Sequence, residues 1–179
     1  MAYDMAKEIA LYVPGARRVL DVGCGSGYIA HHLSAMLGAS VTGTDVGAQA
    51  EAPIAYQRFD GRALPFADGS FDVVLFCYVL HHARDAAALL AEARRVLAPG
   101  GRLVIYEDTP RTALDRLLCL RHERQWLRRT GPCTFRRDGA WRELFAGLGF
   151  MVRAARSLSR LRDPTYPVAR SLYLLCRSP

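Results

Sequence analysis

Lysine is nearly missing from this chain: of its 24 basic side chains 23 are arginine, Lys7 being the exception. Arginine content is therefore in part a coding preference and a weak pointer to function. Long apolar runs are missing too. The longest, Val73 to Leu80, has eight residues, whereas a membrane helix needs about twenty, so it reads as a buried strand. Glycine (15) and proline (9) are too few for a collagen-like or low-complexity chain, and no repeat is visible. A hydrophobic content of 51% excludes disorder. Cysteine is sparse and unpatterned: Cys24, Cys77, Cys119, Cys133 and Cys176 are odd in number and contain no Cys-x-x-Cys spacing. Neither a disulfide framework nor a zinc site is indicated, and a reducing compartment is. The opening MAYDMAKEIA carries Asp4, Lys7 and Glu8 and lacks the basic-then-apolar layout of a signal peptide, so a cytoplasmic chain is expected. At 179 residues it reads as one domain, able to bury about two thirds of its unfolded surface without disulfides or a structural metal.

Charge is unevenly placed. Residues 1–108 hold nine basic and twelve acidic side chains, net −3, and residues 109–179 hold fifteen and five, net +10. Short apolar runs alternate with helical stretches, the pattern of an α/β fold on a mostly parallel sheet. Strands are expected at Arg18 to Gly23, Ser40 to Val46, Ala55 to Phe59, Phe71 to Leu80 and Arg102 to Glu107, with a helix over Tyr28 to Leu37. Asp85 caps a further helix that stops at Pro99, Gly100 and Gly101. Asp138 is expected to cap another, whose Trp141, Leu144, Phe145 and Leu148 form an apolar stripe ended by Gly149. Two last strands lie near Phe150 to Ala155 and Ser171 to Cys176.

The informative segment is VLDVGCGSGYIA, in which Gly23, Gly25 and Gly27 follow the first strand and precede a helix. Such glycines let backbone approach a ligand, and the helix N-terminus offers free N–H groups to an anion. Glycine turns also serve tight packing alone. Asp45, twenty residues beyond Gly25 at the end of the second strand, is placed to accept hydrogen bonds from both hydroxyls of a ribose, or to cap a helix. Asp21 stands two residues before the first glycine. A carboxylate there repels a pyrophosphate and suits a ligand bearing an ammonium group. The spacing Gly-x-Gly-x-Gly also departs from the dinucleotide fingerprint. An amino acid joined to adenosine satisfies all of this, and S-adenosylmethionine is that molecule.

Four blocks in order, VLDVGCGSG, VTGTDV, FDGRALPFADGSFDVVLFCYVLHH and LLAEARRVLAPGGRLVIYED, resemble a class I S-adenosylmethionine-dependent methyltransferase of the small-molecule type. The resemblance implies a Rossmann-like α/β fold with helices on both faces of a seven-stranded, mostly parallel sheet, order 3-2-1-4-5-7-6, strand seven antiparallel. It also implies site residues. Asp21, Gly23 and Gly25 would wrap the methionine moiety, Asp45 the ribose, and Val46 would lie against the adenine. Asp60 would take the adenine amino group with Gly61 and Arg62 beside it, and the Cys77 carbonyl the ammonium. Two features depart from the pattern. Only Gly47 to Ile54 connect strands two and three, too few for the usual crossover helix, and the segment before strand one is about one helix long.

Something else must then cover the substrate, and the segment Thr109 to Arg137 is available as a lid. The segment holds Arg116, Arg121, Arg124, Arg128, Arg129, Arg136 and Arg137 beside Trp126 and Phe135. It reads either as a lid recognising an anionic acceptor, as a nucleic-acid footprint, or, preferred, as a solvated amphipathic helix burying Leu114, Leu117, Leu118 and Trp126. His81 and His82 follow strand four at the edge where ligands bind in open α/β sheets. His82 is the candidate general base, or a wall of the pocket. Glu107 and Asp108 are further candidates, or partners of nearby arginines. No magnesium site of clustered acids is present at the end of strand four, and no metal is expected. The expected partner is a small-molecule acceptor, with nucleic acid disfavoured. The rival readings are a nucleotide-cofactor oxidoreductase and a cofactor-binding subunit without activity.

Overall fold

The computed structural model describes residues 1–47, 49–160 and 163–178, the side chain of Arg129 apart. Among them, seven strands form one sheet: β1 (Arg18–Val22), β2 (Ser40–Asp45), β3 (Ala55–Arg58), β4 (Phe71–Cys77), β5 (Leu97–Asp108), β6 (Phe150–Leu158) and β7 (Arg170–Arg177). The helices are α1 (Ala2–Tyr12), α2 (Tyr28–Leu37), α3 (Ala86–Val96), α4 (Ala113–Thr130) and α5 (Asp138–Gly147). The sheet order is β3-β2-β1-β4-β5-β7-β6. Strands β1 to β5 pair in parallel, and β7 runs antiparallel to both β5 and β6. Order and reversed strand are both as the family resemblance implied. No helix of the described residues is long and apolar enough to cross a membrane.

The central strands are apolar on both sides because both sides are covered. Side chains alternate along a strand. Leu20, Val22, Val74 and Phe76 therefore join Leu89, Leu90, Trp141 and Phe145 of α3 and α5 on one face. Val19, Val73 and Leu75 join Met5, Ile9 and Leu33 of α1 and α2 on the other. Asp85 caps α3 as expected, its Oδ1 accepting the Ala88 N–H at 2.9 Å.

Several boundaries and faces differ from the sequence expectation. β4 ends at Cys77, not Leu80, because Tyr78 adopts φ +62°, a left-handed conformation that no strand continues through. α3 passes into β5 with no loop, so Pro99 to Gly101 lie inside the strand. A Cβ on Gly101 would lie 2.9 Å from the carbonyl oxygens of Ala98 and Asp72, which explains glycine there. Asp138 is the first helical residue of α5 and not its cap, which is Arg137. Its carboxylate instead accepts the Tyr173 hydroxyl at 2.7 Å and Arg142 Nε at 2.8 Å. Between β2 and β3 the described residues form no helix. α4 buries the expected stripe only in part: Leu118 and Trp126 are half-buried, but Leu114 and Leu117 are 59% and 63% exposed, while Asp115 and Cys119 are buried.

Candidate active site

The carboxyl ends of β1, β2 and β4 meet at one edge of the sheet, and the glycine turn closes over it. Gly23 and Cys24 both donate their N–H to the Thr44 carbonyl, at 2.7 and 3.1 Å. The glycines are not equivalent. A Cβ on Gly23 (φ +71°) would sit 2.5 Å from Val79 Cγ2, so this glycine serves packing. Gly25 (φ +52°) would meet nothing within 4 Å; it faces open space, as a ligand-facing backbone must. Gly27 caps α2 without a side-chain hydrogen bond, leaving the first N–H groups of that helix to bind an anion.

Asp21 is 1% exposed and neither carboxylate oxygen has a hydrogen-bond partner. Burial, with the charge of Asp45 added, pushes its pKa up to about 7. An unpaired buried carboxylate is costly, and a ligand ammonium is the group that relieves it. This is the observation by which the residues fit an amino-acid-bearing cofactor. Asp45 braces the turn: Oδ2 accepts the Gly25 N–H at 2.9 Å and Oδ1 that of Gly47 at 3.1 Å. Each oxygen retains a lone pair. Val46 is exposed and stands against Gly61 (φ +80°), where a Cβ would come within 3.3 Å of Val46 Cγ1. Asp60 Oδ1 accepts the N–H groups of Arg62 and Ala63 at 2.8 and 3.1 Å. Those bonds hold its carboxyl below the usual range. Cys77 ends β4, its thiol pushed well up by burial and then by Asp21 and Glu107, so it is no nucleophile.

On the far side of Tyr78 the structure gathers residues the sequence keeps apart. His81, 1% exposed, has Nδ1 at 2.7 Å from Glu107 Oε2, while Glu107 Oε1 accepts the Leu80 N–H at 2.6 Å. Burial alone would lower the His81 pKa, yet Glu107 beside it and Asp108 beyond raise it. His82 Nδ1 contacts Thr130 Oγ1 at 3.0 Å and Cys133 Sγ at 3.2 Å, and its Nε2 lies 3.2 Å from His122 Nε2. Burial and the neighbouring His81 and His122 push His82 down to about 3, and burial with His81 takes His122 to about 4. Asp108 pairs with Arg170 at 3.2 Å; Glu107 pairs with His81 and, among the described residues, with no arginine. His122, Thr130 and Cys133 carry no local signature of function in the sequence, His122 being embedded in an arginine-rich helix.

Residues 20–105 match the family model described as a methyltransferase domain. This segment is similar to methyltransferase domains. The chain is 41% identical over 107 residues to the ubiquinone/menaquinone biosynthesis C-methyltransferase UbiE of Desulfotalea psychrophila, covering 54% of this chain and 44% of that protein. It is 39% identical over 121 residues to a demethylmenaquinone methyltransferase of Thermus thermophilus, covering 61% and 53%. The chain thus spans about half the length of these relatives. In fold, the chain superposes on a SAM-dependent methyltransferase from Methanosarcina mazei with a TM-score of 0.76, 22% identity, and coverage of 96% of this chain and 97% of that one. The blocks that suggested the class I family all lie within or beside the matched segment.

Proposed function

We propose that the chain transfers a methyl group from S-adenosylmethionine to an O, N, C or S atom of a small acceptor. The acceptor class we favour is a hydroxylated, quinol-like ring, a choice supported by the names of the two relatives. The observation that carries the reading is Asp21, buried and unpaired beside a glycine turn whose Gly25 faces open space. When bound, the cofactor supplies an electrophilic methyl group on a sulfonium. Asp21 holds the ammonium and the Gly25 backbone admits the carboxylate end. Asp45 accepts from the ribose with its remaining lone pairs. Val46 and Gly61 wall the adenine, Asp60 accepts from its amino group, and the Cys77 carbonyl accepts from the ammonium beside Asp21. The segment Thr109 to Arg137 acts as the lid, anchored where Thr134 N–H donates to the His81 carbonyl at 2.7 Å. Orientation in a closed, water-poor cleft does the rest. The chain would work in the cytoplasm.

The test is calorimetry with S-adenosylhomocysteine and with NAD, followed by a methyl-transfer assay on hydroquinones. Binding of NAD in preference to S-adenosylhomocysteine would refute the reading, and binding of S-adenosylhomocysteine without transfer to any acceptor would support the silent subunit instead. Within this reading Asp45→Ala should weaken S-adenosylhomocysteine about ten- to hundredfold, as hydrogen bonds to a charged group contribute about 1.5–3 kcal/mol. Part of that loss would come through the freed Gly25 N–H. Equal affinity in calorimetry would remove Asp45 from the site.

His82 serves as wall and not as base. A group held near 3 is a weak acceptor at neutral pH and produces no acid limb near its ordinary value. At saturating cofactor, wild type and His82→Ala should therefore show kcat profiles of the same shape between about pH 5 and 8. A rising limb near 6.5 that the variant loses would restore the base role.

A further inference from the structure

Three imidazoles meet although only two are neighbours in sequence: His81 and His82 follow β4, and His122 comes from the middle of α4. One ring nitrogen of each lies within 4.8 Å of the others. His82 Nε2 and His122 Nε2 are 3.2 Å apart. In a tetrahedral zinc site, with metal–nitrogen bonds of about 2.0–2.1 Å, adjacent ligand nitrogens stand about 3.3 Å apart. A hydrogen bond between the two rings would account for that pair alone. It leaves out His81, whose Nε2 is buried with no partner while Nδ1 is held by Glu107 at 2.7 Å. Carboxylate to one ring nitrogen, other nitrogen free, is the arrangement that orients a metal-ligating histidine. His82 is held in the same sense by Thr130 and Cys133 on its Nδ1. Aromatic rings enclose the cluster: Phe135 stacks on His81 at 4.8 Å, and Tyr166 and Trp126 on His122 at 5.0 and 5.9 Å.

We propose that His81, His82 and His122 bind one divalent transition-metal ion of the zinc class, through the Nε2 atom of each. Imidazole nitrogens select zinc, cobalt, nickel or copper over magnesium and calcium, so the expectation drawn from acidic ligands does not bear on this site. Three histidines leave a coordination position for water or a ligand oxygen. Its use by the acceptor rests on the methyltransferase reading; the metal site itself does not. The ion would also tie α4 to the turn after β4, joining lid to sheet.

The test uses the full chain, stripped with a chelator and titrated with cobalt(II), whose visible d–d bands report tetrahedral binding, then with zinc(II) in competition. One equivalent is expected to bind, unaffected by excess magnesium. His122→Ala, a change on a half-buried helix face, should weaken binding by about a hundredfold or more, and Glu107→Gln by about ten- to hundredfold. The double variant His31→Ala, His32→Ala on α2 should bind as wild type does. A cooperative thermal melt of each variant shows that it is folded whether or not S-adenosylhomocysteine binds, which keeps the two proposals separable. No tetrahedral spectrum at one equivalent, equal affinity in His122→Ala, or thiolate bands indifferent to that change would each overturn the site.

Discussion

Asp21→Asn is expected to stabilise the unliganded protein at pH 8 while weakening S-adenosylhomocysteine about a hundredfold. Both effects have one cause. The Asp21 carboxylate is buried without a partner, next to a second acid, and its pKa rises to about 7 from an unfolded value of about 3.9. Between those values the native state binds more protons than the unfolded one. Stability therefore falls as pH rises from about 4 to about 7, and the full cost stands above 7. A rise of that size corresponds to about 4 kcal/mol. Asn carries no charge to bury and abolishes this slope, although its amide still lacks partners. The ligand ammonium, by contrast, needs the ionised carboxylate. Wild-type affinity should fall about tenfold per pH unit below 7, and the Asn variant should bind weakly with little pH dependence. Thermal melts and calorimetry at pH 6 and 8 measure both. Equal affinity of the two proteins at pH 8 would take the ammonium away from Asp21.

How much of this was legible beforehand depends on how local each signal is. The glycine turn, Asp21, Asp45 and the Asp85 cap are short-range features, and each stands where the sequence placed it. The sheet order followed from the family resemblance and not from periodicity. Failures came where a distant partner overrode a local preference. Asp138 preceded an apolar stripe and read as a cap, but Tyr173, 35 residues away, claims its carboxylate. On α4 the leucines suggested a buried face. Of the expected residues Leu118 and Trp126 are half-buried, but they share their face with Asp115, Cys119 and His122, so that face keeps helical spacing and is largely polar. Hydropathy could not find it, because α4 docks on hydrogen-bonding groups such as Arg160 and the Ala169 N–H. The histidine cluster was hidden for the same reason: its third member enters by docking of a helix.

That docking depends on Asp115, and Asp115→Ala should cost about 3 kcal/mol or more of stability. The carboxylate is buried and its oxygens are fully used. Oδ2 accepts the N–H groups of Arg111 and Thr112 at 2.9 and 2.8 Å, the Thr112 hydroxyl at 2.9 Å and Arg160 Nη2 at 2.9 Å. Oδ1 takes the Ala169 N–H at 3.0 Å and a second, shorter bond from Arg160. One side chain thus closes the capping box that begins α4 and ties it to the chain between β6 and β7. Burial by itself would raise the Asp115 pKa, yet Arg160 and the backbone N–H groups hold it far below the usual range. Removing it strands three backbone donors and a cap, a loss comparable with breaking a buried ion pair, about 3–5 kcal/mol. Arg160 is partly exposed and can turn to water, which places the loss at the lower end of that range. A loss of about 3 kcal/mol corresponds to a fall in Tm of about 6–12 °C in a chain of this size. Because the folded pKa is depressed, the contribution is present above the unfolded pKa of about 4 and fades as pH falls below it; Asp115→Asn should therefore approach wild type in acid. Cofactor affinity, set at the carboxyl end of β1, should be nearly unchanged, while cobalt binding should weaken because α4 carries His122. Denaturant unfolding that put the Ala variant within about 0.5 kcal/mol of wild type would show that α4 is held by something other than this carboxylate.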